Sequence, residues 1–281
     1  MARRAKPPRQ PGGDQLVAKL RIAPQSRVRL LDAHASRSFR WSKGKAEECL
    51  ARNLERLEEL QYRMYADGRF GMLVVFQAVD GGGKDGTIRK VFTAFNPQGC
   101  RVTAFKAPSS EELRHDYLWR IHAAVPGRGE IGVFNRSHYE DVLVVRVNDL
   151  VPKTVWSKRY AQINAFEQML HESGIRVVKI LLQISKAEQK QRFLGRLRDP
   201  RKHWKFDAAD LDKRRQWNAY RLAFEAMLGK CSTACAPWYV VPADRKWFRN
   251  LAVSEILRHE LESLDLRWPK ASMDLSRIHI T

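Results

Sequence analysis

The chain has 281 residues, 44% of them apolar, which excludes a disordered polymer and is enough for a sizeable buried core. Lys and Arg outnumber Asp and Glu by 51 to 31, a net charge of +20. That excess suits a polyanionic partner: a nucleic acid, a phosphate polymer or an acidic membrane surface, or else a merely solubilising surface.

No apolar run approaches the ~18 residues of a membrane-spanning helix. Residues 1–26 open basic and Pro-rich, and read as a disordered basic tail rather than a secretory signal. Residues 27–281 then read as one domain. Leu50, Leu54, Leu57, Leu60 and Met64 recur at three- and four-residue steps, which predicts a helix from about Lys45 to Ala66, stopped by Gly68. The apolar run Met72 to Val79 predicts a buried parallel strand, followed by a glycine-rich turn, Asp80 to Gly86, and a helix from Thr87 to Phe95.

Further along, strands are predicted over Arg101–Lys106, Ile131–Asn135, Ile175–Ile184 and Pro237–Val241. Helices are predicted over 109–124, 153–172, 185–198, 210–229 and 245–264. This alternation predicts an α/β fold, a parallel sheet with helices on both faces. The four cysteines (Cys49, Cys100, Cys231, Cys235) include no C-x-x-C pair and read as free thiols of a reducing cytoplasm.

Three segments carry chemistry. The first is Asp80-Gly81-Gly82-Gly83-Lys84-Asp85-Gly86-Thr87, between a strand and a helix. Glycines let backbone N–H groups converge on a phosphate, the helix N-terminus adds partial positive charge, and Lys84 supplies a full one. It departs from G-x-x-x-x-G-K-[ST]: Ala78 holds the first glycine position and Asp85 the Ser/Thr position. The usual magnesium hydroxyl is therefore missing, and Asp80 is the alternative metal ligand.

The second segment is Asn135-Arg136-Ser137-His138-Tyr139-Glu140-Asp141, after a short strand. Asn135 stands where an acid would be expected. Arg136 has a fork of donors for phosphate oxygens, and Glu140 and Asp141 complete a metal shell through water or simply favour a helix start. The third is Gln191 to Phe206, whose Arg192 and Arg196 share a helix face before Pro200 opens a cationic loop with Lys202 and Lys205. It reads as a lid over about 188–210, closing on a transferred phosphate.

These segments, with Phe95-Asn96-Pro97-Gln98-Gly99 and Phe105-Lys106-Ala107-Pro108-Ser109, give the chain a resemblance to the family-2 polyphosphate kinases over roughly residues 27–265. The resemblance implies a three-layer P-loop kinase fold similar to thymidylate kinase, with a helical lid. It implies transfer of phosphoryl groups between inorganic polyphosphate and nucleoside mono- or diphosphates, with magnesium or manganese. The amphipathic helix predicted from about Lys45 to Ala66 is a surface for contact between copies, in a homo-oligomer (dimer or tetramer). Lys84 would contact the phosphates, with Gly81, Gly82, Gly83, Asp85, Gly86 and Thr87 around them. Asp80 would support the metal, with Glu140 and Asn135 as further ligands. Arg136, with Arg192 or Arg196, would steady the polyphosphate chain, and Lys202 and Lys205 would join it. Many family members carry Asp at the position of Asn135 and Asn at that of Glu140. The exchange resembles the subgroup that accepts both mono- and diphosphates. Two other readings stay open: an ATP-dependent kinase on the same fold, and a basic nucleic-acid binder, which leaves the glycine-rich loop unused.

Overall fold

The computed structural model describes residues 12–274. Its first half runs α1 (Gly13–Leu20), α2 (Lys43–Asp67), β1 (Gly71–Gln77), α3 (Lys84–Val91), β2 (Cys100–Ala104), α4 (Trp119–His122) and β3 (Ile131–Asn135). The second half runs α5 (Val144–Val147), α6 (Lys153–Glu172), β4 (Ile175–Gln183), α7 (Lys186–Leu197), α8 (Ala209–Arg215), α9 (Trp217–Cys231), β5 (Trp238–Pro242) and α10 (Lys246–Glu262). All strands pair in parallel, in the order β2-β3-β1-β4-β5. β1 is the strand at which the order reverses, so the crevice beyond its C-terminal end is where such a sheet receives ligands.

Every residue of β1 is buried. Met72, Val74 and Phe76 face one core, shared with α1, α2, α3 and α10, while Leu73 and Val75 face the other, shared with α6 and α9. Burial of each such side chain contributes about 1.5–3 kcal/mol, so the apolar run fixes the central strand and, with it, the loop that follows. The predicted stripe of α2 is buried at Leu50, Leu57, Leu60 and Met64. Gly68 ends the helix with a left-handed φ of 65°, its N–H donating to the Met64 carbonyl at 3.1 Å.

Three expectations need correction. Residues 12–26 are not tail: Leu16, Val17 and Leu20 of α1 are buried against the α10 side of the core, and the Ile22 N–H donates to the Trp238 carbonyl at 2.8 Å; residues 1–11 of the predicted tail lie outside the described residues. The helix expected over 109–124 is only a 3-10 turn, Glu112–Arg114, and the four residues of α4. His115 is extended, and Asp116 Oδ1 accepts from the Leu118 N–H at 2.9 Å, a local turn that competes with the helix. The stretch 210–229 is broken at Gln216 into α8 and α9.

Candidate active site

The loop from Ala78 to Gly83 turns tightly enough that only glycine fits at two positions. A Cβ on Gly82 would lie 2.4 Å from the Ala78 Cβ, and Gly83 has φ 98°. Lys84 then opens α3, so the first N–H groups of that helix lack intrahelical partners and face the crevice. The Lys84 side chain is buried, with Nζ 3.3 Å from the Ala78 carbonyl. Burial pushes its pKa down, while Asp80 and Glu140 pull it back up.

Asp80 is the electrostatic hub. Its Oδ1 accepts from Arg136 at 2.7 Å and its Oδ2 from Lys213 at 2.8 Å. Burial would raise its pKa, but Lys84, Arg136 and Lys213 together outweigh burial and hold it at about 2. Arg136 follows β3 with a left-handed φ of 64°, a conformation that costs a non-glycine residue about 1–3 kcal/mol. Its N–H donates to the Phe76 carbonyl of β1 at 3.1 Å, which ties the two strand ends together. Glu140 lines the same pocket as Asp80 and Arg136; burial raises its pKa, and Arg136 and Lys84 oppose that shift. The pocket is walled by Leu143, Trp217, Tyr220 and Phe224.

Several predicted contacts are turned elsewhere. The Thr87 hydroxyl and N–H both donate to the Gly83 carbonyl, at 3.0 Å each, so Thr87 closes the helix turn and offers nothing to phosphate. Asn135 Nδ2 donates to Asp85 Oδ1 at 2.7 Å, which pairs the two positions that depart from the usual kinase pattern. Asp141 faces away from the loop and accepts from Arg159 at 2.7 Å.

Arg192 is the largest correction. Its five N–H donors are all spent: Nε on Glu188, Nη1 on the Gly81 and Gly82 carbonyls at 2.9 and 3.0 Å, and Nη2 on the Ala243 and Asp244 carbonyls. It braces the glycine loop, and in this arrangement none of its N–H groups is left over for a phosphate. Arg192→Ala is therefore expected to cost about 1–3 kcal/mol of stability by stranding buried carbonyls. A melting curve superimposable on that of the wild type would return Arg192 to phosphate binding. Arg196 differs. Its Nη1 bonds the Lys205 carbonyl and Asp210, while Nε and Nη2 carry no hydrogen bond among the described residues.

The arm from α7 through the 3-10 turn Pro200–Lys205 to α8 lies over the loop: Gln189 Nε2 donates to the Asp80 carbonyl at 2.8 Å, and Lys213 reaches from α8. Beneath it opens a groove of about 1060 Å³ whose lining carries twelve basic side chains against five acidic ones. Lys202 and Lys205 line it, Lys202 paired with Asp199 at 2.8 Å and Lys205 over the Trp204 ring. Nothing in the sequence singles out Lys213, Gln189 or Arg249; none belongs to a motif, and only the packing of α7, α8 and α10 on the loop brings them here.

No group of three or more His, Cys, Asp or Glu among the described residues is arranged to cage a metal. Asp80 and Glu140 line one pocket and are the carboxylates that could hold a magnesium-type ion, which takes one or two carboxylates and completes its shell with phosphate oxygens and water.

A family model described as Polyphosphate kinase 2 (PPK2) matches residues 40–268. The AMP/ADP-polyphosphate phosphotransferase of Meiothermus ruber is 49% identical over 266 residues, covering 94% of this chain and 100% of that one. The ADP-polyphosphate phosphotransferase of Rhodopseudomonas palustris is 47% identical, covering 83% and 85%. Among solved structures, polyphosphate kinase 2 from Arthrobacter aurescens TC1 superposes with a TM-score of 0.89 at 42% identity, covering 93% of this chain and 94% of that one.

Proposed function

This chain belongs to the polyphosphate kinase 2 family, and from that membership we infer that it moves phosphoryl groups between inorganic polyphosphate and nucleoside mono- or diphosphates. Acceptors are AMP and ADP, with GMP and GDP as further candidates, and the reaction runs in both directions. The observation that carries the reading is the convergence of Lys84, Arg136 and Lys213 on Asp80 at the floor of a strongly basic groove.

The transition state of phosphoryl transfer is loose and spreads charge over oxygens, so catalysis is mainly positioning and electrostatic stabilisation. A nucleotide phosphate is already an anionic nucleophile and needs no general base. What the protein must overcome is repulsion between two anions. Asp80 holds Arg136 and Lys213 side by side, and phosphate oxygens entering there meet both cations with Lys84 behind them. Arg196, with donors to spare on the arm, steadies the donor chain. Asp80 and Glu140, with Asn135 as a neutral neighbour, are the groups that would hold magnesium or manganese, which when bound neutralises charge on the reacting phosphates.

Glu140 is proposed to govern the acceptor. A monophosphate leaves a gap where the end of a diphosphate would sit, and a carboxylate acting through metal and water spans it. Glu140→Asn is expected to depress AMP phosphorylation about tenfold more than ADP phosphorylation, an extra ~1.4 kcal/mol on one acceptor. Equal losses on both acceptors would reduce Glu140 to a general metal ligand.

No helix among the described residues is long and apolar enough to cross a membrane. A cytoplasmic location is proposed on a separate ground, the four free cysteines, which suit a reducing compartment. Tyr62 and Tyr65 stay exposed on the outer face of α2, the surface proposed for contact between copies in a dimer or tetramer. The experiment that tests the function is incubation with polyphosphate, magnesium and AMP, ADP, GMP or GDP, with separation of the products. Phosphorylation only when ATP replaces polyphosphate as donor would sink the reading.

A further inference from the structure

Arg249, near the start of α10, is 4% exposed, yet no carboxylate among the described residues compensates it. Its Nε and Nη2 both donate to the neutral Asn250 Oδ1, at 3.2 and 3.0 Å, and the charged group that acts on it is another cation, Arg192. Burial, with the Arg192 charge, pulls its pKa down to about 10. A buried charge without its counter-ion is costly, and proteins keep one where the missing partner arrives with a ligand.

Its position says which ligand. A Cβ on Gly83 would lie 2.2 Å from Arg249 Nη1, and one on Gly86 would lie 3.6 Å from Nη2, so the guanidinium rests against the loop where α3 begins. Nη1 makes no hydrogen bond among the described residues, in contrast to the saturated Arg192. Arg249 shares the large groove with Lys84 but is absent from the pocket of Asp80, Arg136 and Glu140, where the acceptor phosphate meets the cations. On this flank α10 contributes only Lys246, Arg249 and Asn250 to the groove lining, with no aromatic face for a base.

We propose that Arg249 binds the donor polyphosphate on the α10 flank of the glycine loop, with Lys246 and Asn250 extending that arm of the groove. The inference rests on the polyphosphate-transfer reading above and adds the path that the donor chain takes away from the reacting phosphate. Donor phosphates supply the anion that Arg249 lacks, and its planar fork suits two phosphate oxygens at once.

The test is calorimetric binding of long-chain inorganic polyphosphate, without nucleotide and at fixed salt, to wild type, Arg249→Met and Arg249→Lys. Arg249→Met is expected to bind polyphosphate about tenfold more weakly, ~1.4 kcal/mol, and to raise the KM for polyphosphate similarly, with the KM for ADP within about twofold of wild type. Removing an uncompensated buried charge should leave the melting temperature of the unliganded protein unchanged or higher. Arg249→Lys, which keeps the charge without the fork, should fall between the two. Polyphosphate affinity unchanged in Arg249→Met, an equal rise in the KM for ADP, or a lower unliganded melting temperature in both variants overturns the assignment. Absence of polyphosphate binding by the wild type overturns the transfer reading itself and is seen separately, in the unmutated protein.

Discussion

Replacing Lys84 by alanine is expected to lower kcat on the order of 10²–10³-fold, the usual cost of removing one preorganised donor from a transferring group, while the protein stays folded. The first half follows from position. The backbone N–H groups of the loop are fixed and can hold a phosphate, but only a side chain carries a full charge to the oxygens that gain charge in the transition state. Arg136 and Lys213 serve the phosphates from their place on Asp80, Arg192 is spent on carbonyls, and Arg249 lies on the α10 flank, so no neighbour occupies the position of the Lys84 ammonium. The second half follows from energetics. Lys84 is buried with its pKa pulled down by desolvation, and among the described residues its side chain makes one hydrogen bond, a 3.3 Å contact with a carbonyl. The fold loses little when it goes, and Lys84→Met, which fills the same space, should melt as the wild type does. Both variants should keep the circular-dichroism spectrum. Turnover within threefold of wild type in a correctly folded Lys84→Ala protein would remove the glycine loop from the chemistry.

The glycine loop was legible because its requirement is local: a buried strand, a tight turn and a helix start are written in consecutive residues from Met72 to Thr87. The five-stranded sheet was legible for the same reason, since each strand is a short apolar run and each long helix a stripe. What could not be read was the direction in which side chains point once elements pack. Arg192 and Arg196 are four apart on one helix, and the sequence alone offers both as phosphate ligands. Docking of α7 on the loop turns Arg192 into the carbonyls of Gly81 and Gly82, leaving Arg196 on the groove. Lys213 and Arg249 are single basic residues among many, and their roles exist only because α8 and α10 meet the loop. α1 reads as tail in the sequence because eight residues with three apolar core side chains make a weak periodic signal; packing against the α10 side of the core, not propensity, makes it a helix.

Behind the site lies a buried network whose disruption should cost more stability than any change in the groove. Lys179 of β4 is fully buried and spends its three protons on Glu167 Oε2, the Tyr139 hydroxyl at 2.9 Å and the Cys231 carbonyl. Glu167 of α6, also fully buried, accepts in turn from the Tyr139 hydroxyl at 2.8 Å, and its Oε1 lies 3.2 Å from His138 Nε2. Burial alone would raise the Glu167 pKa, but Lys179 and His138 outweigh it and keep the carboxyl ionised. His138 and Tyr139 lie between Arg136 and Glu140, so this network anchors the segment that presents both to the groove. Glu167→Gln keeps the shape and removes the charge, which leaves the Lys179 ammonium buried without its partner. The expected cost is about 3–5 kcal/mol, a melting temperature lower by roughly 6–15 °C for a chain of this size. The paired change Glu167→Leu with Lys179→Met removes both charges and should recover much of that loss, since an apolar pair escapes the desolvation that the ion pair bears. Activity should separate the two effects. The double variant, refolded but without acceptors for His138 and Tyr139, is expected to keep a reduced kcat because Arg136 and Glu140 are less firmly placed. A Glu167→Gln protein that melts as the wild type does would mean that the Lys179–Glu167 ion pair is not what fixes this part of the core.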